Sequence, residues 1–386
     1  MTPDHAALSA DRLEHLADVV RRDIDGGLYY GASIKIARHG VLALDLAAGH
    51  ADRDGTQPIR PDSVFSVFSL TKTFINVLIL RAIELGRFAL TTRMVEIIPE
   101  FAGEPRDRAT IFHFLTHTNG LPGLWEIKPG MNLDRLDDIV AAACAQVHGV
   151  VEPGTRCDYS PMVNHALLGE ALRRTDPAGR TIDEILRQDL FEPLGMSDTA
   201  LGVKPHLRDR HVFPDTRGLI PVKVLSSTVP GDDEGLWKSE SNESTWVGAV
   251  STTGDMLRFA EMLRNRGSLD GVRILAPRTV DLARRNWTGD MPNELYRTVA
   301  LRAGYPPPPA YLGLGFNVRG EGIVRHQLGT LTSPGTMGNY GAGSAVYWTD
   351  PELDLSFVGL TAGLLSQAAN IDRFQRLADI AVSAAL

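Results

Sequence analysis

Residues 64–86 read Val64-Phe65-Ser66-Val67-Phe68-Ser69-Leu70-Thr71-Lys72-Thr73-Phe74-Ile75-Asn76-Val77-Leu78-Ile79-Leu80-Arg81-Ala82-Ile83-Glu84-Leu85-Gly86. A short β-type run, 64–67, gives way to an apolar, helix-patterned stretch closed by a glycine in the usual helix-stop position. The junction carries Ser69-Leu70-Thr71-Lys72, the only Ser-x-x-Lys of the chain. With a helix starting at Ser69, positions i and i+3 share a face, so hydroxyl and amine reach the same cavity. A serine hydroxyl needs an adjacent base to become a nucleophile. A lysine serves as that base once burial or nearby charge lowers its pKa. The helix N-terminus adds backbone N–H groups facing developing negative charge. By itself the tetrapeptide reads more readily as a capping serine followed by a solvated lysine, so the rest of the chain has to decide.

Composition narrows the field. The 386 residues allow two or three domains. With 43% apolar and 22% charged residues, a core of useful size forms without staples. The net charge of −8, with no basic stripe interleaved with aromatics, speaks against nucleic acid as a partner. Cys144 and Cys157 sit in no metal-ligand spacing, and a reduced pair is the default. No apolar run has the length of a membrane span, and residues 1–25 lack the basic and apolar regions of a secretory signal. The expectation is a cytoplasmic protein with no membrane partner, no metal and no cofactor.

Along the chain, residues 8–24 carry a helical stripe, and 32–37 and 41–46 are strands joined by a hairpin at Arg38-His39-Gly40. Helical patterns follow at 136–145, 162–173, 182–191 and 253–265. The segment 206–245 reads as a long polar loop of the kind that forms functional rims. Strand character returns at 313–319, 322–325, 345–349 and 355–360, and a helix spans 368–386. Strands at both ends around a helical block predict an α+β protein: an antiparallel sheet built from both termini and flanked by helices, plus a mainly α-helical lobe. The corresponding division is 1–80 with 295–386 as the α/β domain and 81–294 as the helical domain, with the active site in the cleft between them.

Acyl transfer from a serine also needs an oxyanion site and a proton donor for the leaving group. Tyr159, between the turn Glu152-Pro153-Gly154-Thr155 and a helix, is the candidate donor. Beside an ammonium, its phenol would lose its proton more easily and share the Ser69 proton with Lys72. The alternative is a tyrosine that is merely buried and hydrogen-bonded. In the glycine-rich stretch Gly338-Asn339-Tyr340-Gly341-Ala342-Gly343-Ser344, the Ala342 N–H can act as second oxyanion donor beside that of Ser69, or the glycines can mark a bulge. His117, in Leu115-Thr116-His117-Thr118-Asn119-Gly120-Leu121, reads as a structural histidine. No Gly-x-Ser-x-Gly elbow, zinc-protease helix, phosphate loop or calcium loop is present.

Taken in order, Phe65 with Ser69-Leu70-Thr71-Lys72, the 115–121 segment, Pro153-Gly154-Thr155 with Tyr159-Ser160, residues 191–196, Ser251-Thr252-Thr253-Gly254-Asp255-Met256 and residues 338–351 resemble the serine β-lactamase-related family. This group comprises class C β-lactamases, penicillin-binding proteins and family VIII carboxylesterases, and the likeness runs from about Gly31 to Gly363. The resemblance implies Ser69 as acylated nucleophile, Lys72 and Tyr159 as the proton-handling pair, Ser69 and Ala342 N–H groups as the oxyanion hole, and Asn339, Tyr340 and Gly341 as the third, substrate-facing motif. Two positions depart from it. Asn339 stands where a lysine or histidine usually holds a substrate carboxylate, with Arg325 and His326 as possible replacements. Pro161 follows Tyr159-Ser160 where an asparagine is usual, and proline has no side-chain donor. Both departures favour a small-molecule ester over a β-lactam. An amide hydrolase of β-lactamase or D-aminopeptidase type, an acyltransferase to a small alcohol and a catalytically silent relative stay open. Trp125 and Trp237 are the expected walls of the substrate site, against the plainer alternative of tryptophans packing at a loop base.

Overall fold

A computed structural model describes residues 7–215 and 235–386. Its organising element is a six-stranded antiparallel sheet in the order Val41–Gly49, Gly31–Arg38, Leu355–Ala362, Ala345–Asp350, Met337–Gly341, Asn317–Val318. The N-terminal strand Gly31–Arg38 runs in register against Leu355–Ala362, from Gly31 opposite Ala362 to Arg38 opposite Leu355. The sheet is thus closed from both ends of the chain. The first hairpin turns through His39 and Gly40 at φ of 53° and 76°, the left-handed pair that a two-residue hairpin loop requires.

The central strands Gly31–Arg38, Leu355–Ala362 and Ala345–Asp350 are buried on both faces, which accounts for their largely apolar composition, while the edge strand Val41–Gly49 is mostly half-buried. Alternation sorts the side chains. Ile34, Val346, Trp348 and Phe357 meet Leu13, Leu16 and Val20 of helix Ala10–Asp25, and Phe374 and Leu377 of helix Gln367–Ser383. Tyr347, Val358 and Leu360 point the opposite way, into a core containing Phe74 and Phe259. Helix Thr71–Glu84 lies in that second core, buried at every position from Thr71 to Leu80. Its apolar residues therefore surround the axis instead of forming one stripe. Gly86, at φ 71°, ends it, with its N–H bonded to Ile83 O and the Arg87 N–H to Ala82 O.

Several expectations need correction. The α-helix starts at Thr71, not Ser69; Ser69 belongs to a 3₁₀ turn, Phe68–Leu70. The strand Val64–Ser66 does not join the main sheet. It lies in a second, four-stranded sheet between Ala249–Ser251 and His211–Val212, with Ala200–Leu201 at the edge. Residues 322–325 form no strand, and 313–319 contribute only Asn317–Val318, because the chain there turns through Gly315 and Gly320 at positive φ. The 182–191 helix changes hand-off at Arg187, where its last five residues form a π turn. Helix Glu294–Arg302 had no counterpart in the sequence reading, since its stripe is weak and only Ala300 is buried. Of the 206–245 loop, residues 216–234 lie outside the described residues; the flanks are short 3₁₀ turns, Pro205–Arg210 and Gly235–Trp237. Cys144 and Cys157 are free and buried. Among the described residues no helix is long and apolar enough to cross a membrane.

Trp348 is fully buried and stacks on its cross-strand partner Phe357 with 5.4 Å between centroids. Trp348→Ala is expected to cost about 3–5 kcal/mol by opening a cavity between sheet and terminal helices. Denaturant unfolding followed by tyrosine and tryptophan fluorescence checks this, with Trp348→Phe losing markedly less.

Candidate active site

The site begins where Val64–Ser66 ends. The Val67 N–H still bonds Ala249 O at 3.0 Å, and then Phe68 turns the chain at φ 49°. A bulky residue in the left-handed region is strained by about 1–3 kcal/mol and persists only where its surroundings hold it. Here the Phe68 ring is buried and packs edge-on against Trp237, 5.0 Å between centroids. Thr71 secures the turn from below, its Oγ1 donating to Phe68 O at 2.6 Å and accepting from the Ala249 N–H at 3.0 Å. The strand Met337–Gly341 closes from the side. A Cβ on Gly341 would lie 2.3 Å from Val67 O and 3.2 Å from the Ser69 nitrogen, so only glycine permits this approach.

Ser69 Oγ sits between two partners. Lys72 Nζ is 3.0 Å away, and the Tyr159 hydroxyl donates to Oγ at 3.0 Å. Lys72 Nζ also donates to Trp246 O at 2.9 Å. The amine is buried and, among the described residues, has no carboxylate partner, so desolvation holds its pKa well below the ordinary lysine value. Tyr159 shifts the other way: burial, then the nearby Tyr296, raise its pKa despite the Ser69 hydrogen bond. This corrects the expectation of an easily ionised phenol, which assumed an ammonium beside it. In the neutral form that burial favours, Nζ offers a lone pair to the Ser69 hydroxyl, and no ammonium then stands beside the phenol to draw off its proton.

Tyr159 is held on three sides. Its N–H donates to Asn293 Oδ1 at 3.2 Å, its ring lies 4.9 Å from that of His117, and the tilted ring of Tyr296 lies 5.9 Å away. His117 occupies the position after the short helix Ile111–Leu115 at φ 53°, a place usually given to glycine. Its Nδ1 accepts from the Ser160 N–H at 3.1 Å and from Asn164 Nδ2 at 2.9 Å. Burial, then the proximity of Lys72, lower its pKa to about 3, so it is neutral and carries its proton on Nε2. It serves as the wall behind Tyr159.

Behind Ser69 and Lys72 lies a polar cavity of about 30 Å³, bordered by Asn76, His117, His165, Asn317 and Asn339, large enough for a water molecule. Asn339 faces this cavity and not the outer cleft. Its Oδ1 accepts from Asn317 N at 3.1 Å and Nδ2 at 2.9 Å, and its own amide donates to Gly315 O at 3.1 Å. Gly341 lies against the nucleophile turn, while Tyr340 borders both spaces. Neither proposed replacement cation reaches the cleft. Arg325 pairs with Asp372 at 2.6 Å and covers the Tyr305 ring, and His326 is buried, with desolvation, then Arg319, lowering its pKa to about 4.

The outer cleft, about 410 Å³, opens on Ser69 and is bordered by Trp125, Tyr159, Pro161, Trp237, Tyr340 and Ala342, among others. The Ser69 and Ala342 amides have no intramolecular acceptor among the described residues. Trp125 is 68% exposed at the rim, while Trp237 is buried. Trp246 and Tyr296 also border the cleft and were missed. Trp246 contributes to Lys72 through a backbone carbonyl, which leaves no sequence signal. Tyr296 rides on the unrecognised helix after Asn293. No group of three or more His, Cys, Asp or Glu is placed to hold a metal ion among the described residues.

Comparison with known proteins agrees with this architecture. Esterase EstB of Burkholderia gladioli is 31% identical over 320 residues, 74% of this chain and 76% of the esterase. A penicillin-binding protein homologue from Caulobacter crescentus superposes with a TM-score of 0.78 at 23% identity, over 98% of each chain. A family VIII carboxylesterase does so with a TM-score of 0.75 at 19% identity, over 97% of this chain and 98% of the other. These two likenesses establish a β-lactamase/transpeptidase-like fold. The Beta-lactamase family model matches residues 16–381, and with almost its whole length inside that match the chain belongs to the β-lactamase family.

Proposed function

We propose that this β-lactamase-fold protein is a serine hydrolase that cleaves carboxylic esters through an acyl-enzyme on Ser69. The observation that carries the reading is Ser69 Oγ held at 3.0 Å from both a desolvated amine and a protonated phenol. In this mechanism Oγ attacks the ester carbonyl and its proton passes to Lys72 Nζ. The carbonyl oxygen, now negative, is met by the Ser69 and Ala342 N–H groups. The tetrahedral adduct collapses, the carbon–oxygen bond to the alcohol breaks, and Tyr159 protonates the departing alkoxide. Lys72 then returns a proton to Tyr159. Water repeats the sequence on the acyl-enzyme and releases the carboxylic acid.

Three features support an ester over a β-lactam. Asn339 is turned inward, its oxygen held by Asn317 and its amide nitrogen donating to Gly315 O. Pro161 borders the cleft without a side-chain donor. No Lys or Arg borders the cleft among the described residues. The likeness to EstB supports the same choice. Fold alone does not select the substrate.

Ser69→Ala should abolish turnover of an activated phenyl ester and eliminate the acyl-enzyme mass adduct, while circular dichroism stays unchanged. Lys72→Ala and Tyr159→Phe should each lower kcat by about 10²–10⁴-fold with a smaller effect on KM. Retained turnover in Ser69→Ala would overturn the reading.

The depressed Lys72 pKa has a signed consequence. Only the neutral amine accepts the Ser69 proton, so kcat/KM should rise with pH through the Lys72 pKa of the free enzyme. For stability, the unfolded chain binds a proton at Lys72 that the folded chain lacks, between the depressed folded pKa and the unfolded value of about 10.4. The resulting penalty is largest at low pH and fades as pH approaches the unfolded value. The difference in Tm between Lys72→Met and the parent should therefore favour the variant most in acid and decline toward pH 10. A pH-independent difference in scanning calorimetry would contradict it.

Gly341→Ala places a methyl group 2.3 Å from Val67 O, so strand and nucleophile turn must separate. Loss of kcat by about tenfold or more is expected, with KM much less affected.

A further inference from the structure

The outer cleft is far larger than a reacting ester group needs. Its volume of about 410 Å³ falls in the range that encloses a sizeable small molecule. It opens on Ser69, and its walls are mostly ring and aliphatic surface: Trp125, Leu133, Trp237, Trp246, Tyr296 and Leu364. Trp237 is fixed by its edge contact with Phe68, the residue that aims Ser69. Trp125 extends the wall to the rim, where most of its surface is exposed.

The charges around this space are arranged against an anion. The one ionisable carboxyl side chain on the wall is Glu126, and no Lys or Arg borders the cleft among the described residues. Arg325 is turned onto Asp372. Arg373 lies behind the wall residue Asn370, layered between the rings of Tyr29 and Phe374 at 4.7 and 4.4 Å. Its Nη2 donates to Gly343 O at 3.0 Å and to Asn370 Oδ1. Its guanidinium therefore braces the turn that carries Ala342 and does not itself border the cleft. A carboxylate entering here would lose its hydration with no lysine or arginine of the described lining to replace it.

Resting on the ester reading of Ser69, we propose that the substrate carries a bulky, uncharged apolar group of about bicyclic size, seated between Trp125 and Trp237. Binding energy from this remote group is available to position the carbonyl over Ser69. Small acetates would be turned over as poor substrates that leave the walls unused.

The test uses the full chain and esters with matched leaving groups: phenyl acetate as reference, 2-naphthyl acetate with the bulk on the alcohol side, and phenyl 2-naphthylacetate with the bulk on the acyl side. A charge pair, 6-carboxy-2-naphthyl acetate and its methyl ester, completes the set. At least one bulky ester should exceed phenyl acetate in kcat/KM by about tenfold or more. Trp237→Ala should reduce that ratio by about fivefold or more, as should Trp125→Ala, whose exposed side chain keeps folding out of the question. Because the readout is a ratio, a smaller folded fraction in Trp237→Ala does not mimic the effect. The methyl ester should exceed its carboxylate by about tenfold. Ratios of one or below for both bulky esters, in an enzyme whose phenyl acetate turnover disappears in Ser69→Ala, would overturn the proposal and leave the ester reading standing. Preference for the carboxylate would also overturn it and implicate Arg373. Absence of Ser69-dependent turnover of every ester removes the ester reading and this proposal together.

Discussion

A primary amine removed from water without a counter-ion is the constraint on which this site depends. Among the described residues Lys72 has two hydrogen-bond partners, a serine hydroxyl and a backbone carbonyl, and neither carries charge. Burial of an unpaired ammonium is too costly to sustain, so the group is driven toward its neutral form. Everything around it follows suit. The phenol of Tyr159 stays protonated, the imidazole of His117 stays neutral, and His165 is likewise lowered, first by burial and then by Lys72. In the proposed mechanism the resting centre is a chain of neutral hydrogen bonds, phenol to hydroxyl to amine, that separates charge only when a carbonyl arrives.

The backbone supplies the second constraint. Two non-glycine residues sit in the left-handed region at the site, Phe68 before Ser69 and His117 behind the phenol. Each is locked by a distinct device: Phe68 by Trp237 and the Thr71 hydroxyl, His117 by two donors to one ring nitrogen. Gly341 then lets a strand of the main sheet touch the turn on which Ser69 stands. The geometry around Ser69 is assembled from close backbone approaches that only particular residues allow.

The two spaces on either side of Ser69 divide the work. The inner cavity is small and lined by amides and imidazoles. The outer cleft is large and lined by rings and aliphatic chains. Asn339 belongs to the inner space and not, as its place in the motif suggested, to the outer one, because Asn317 and Gly315 O satisfy its amide from within.

Local chemistry made much of this readable from the amino acids. The hairpin at His39-Gly40, the stop at Gly86 and the apolar runs of the sheet follow from residue conformational preference and period, which act over a few neighbours. The spacing of Ser69 and Lys72 is equally local, and the order of the motifs marked Tyr159 as their partner. What the chain alone did not reveal is set by contacts between distant segments. The 3₁₀ turn at Phe68–Leu70 exists because Trp237 and Gly341 brace it. The direction of the Tyr159 and Lys72 shifts depends on burial by segments more than a hundred residues away, such as Trp246 and Tyr296. The retreat of Arg325 required Asp372. Solvent exclusion is a property of the packed whole, so the sequence determined which groups could react, and tertiary structure alone decided which of them would be charged.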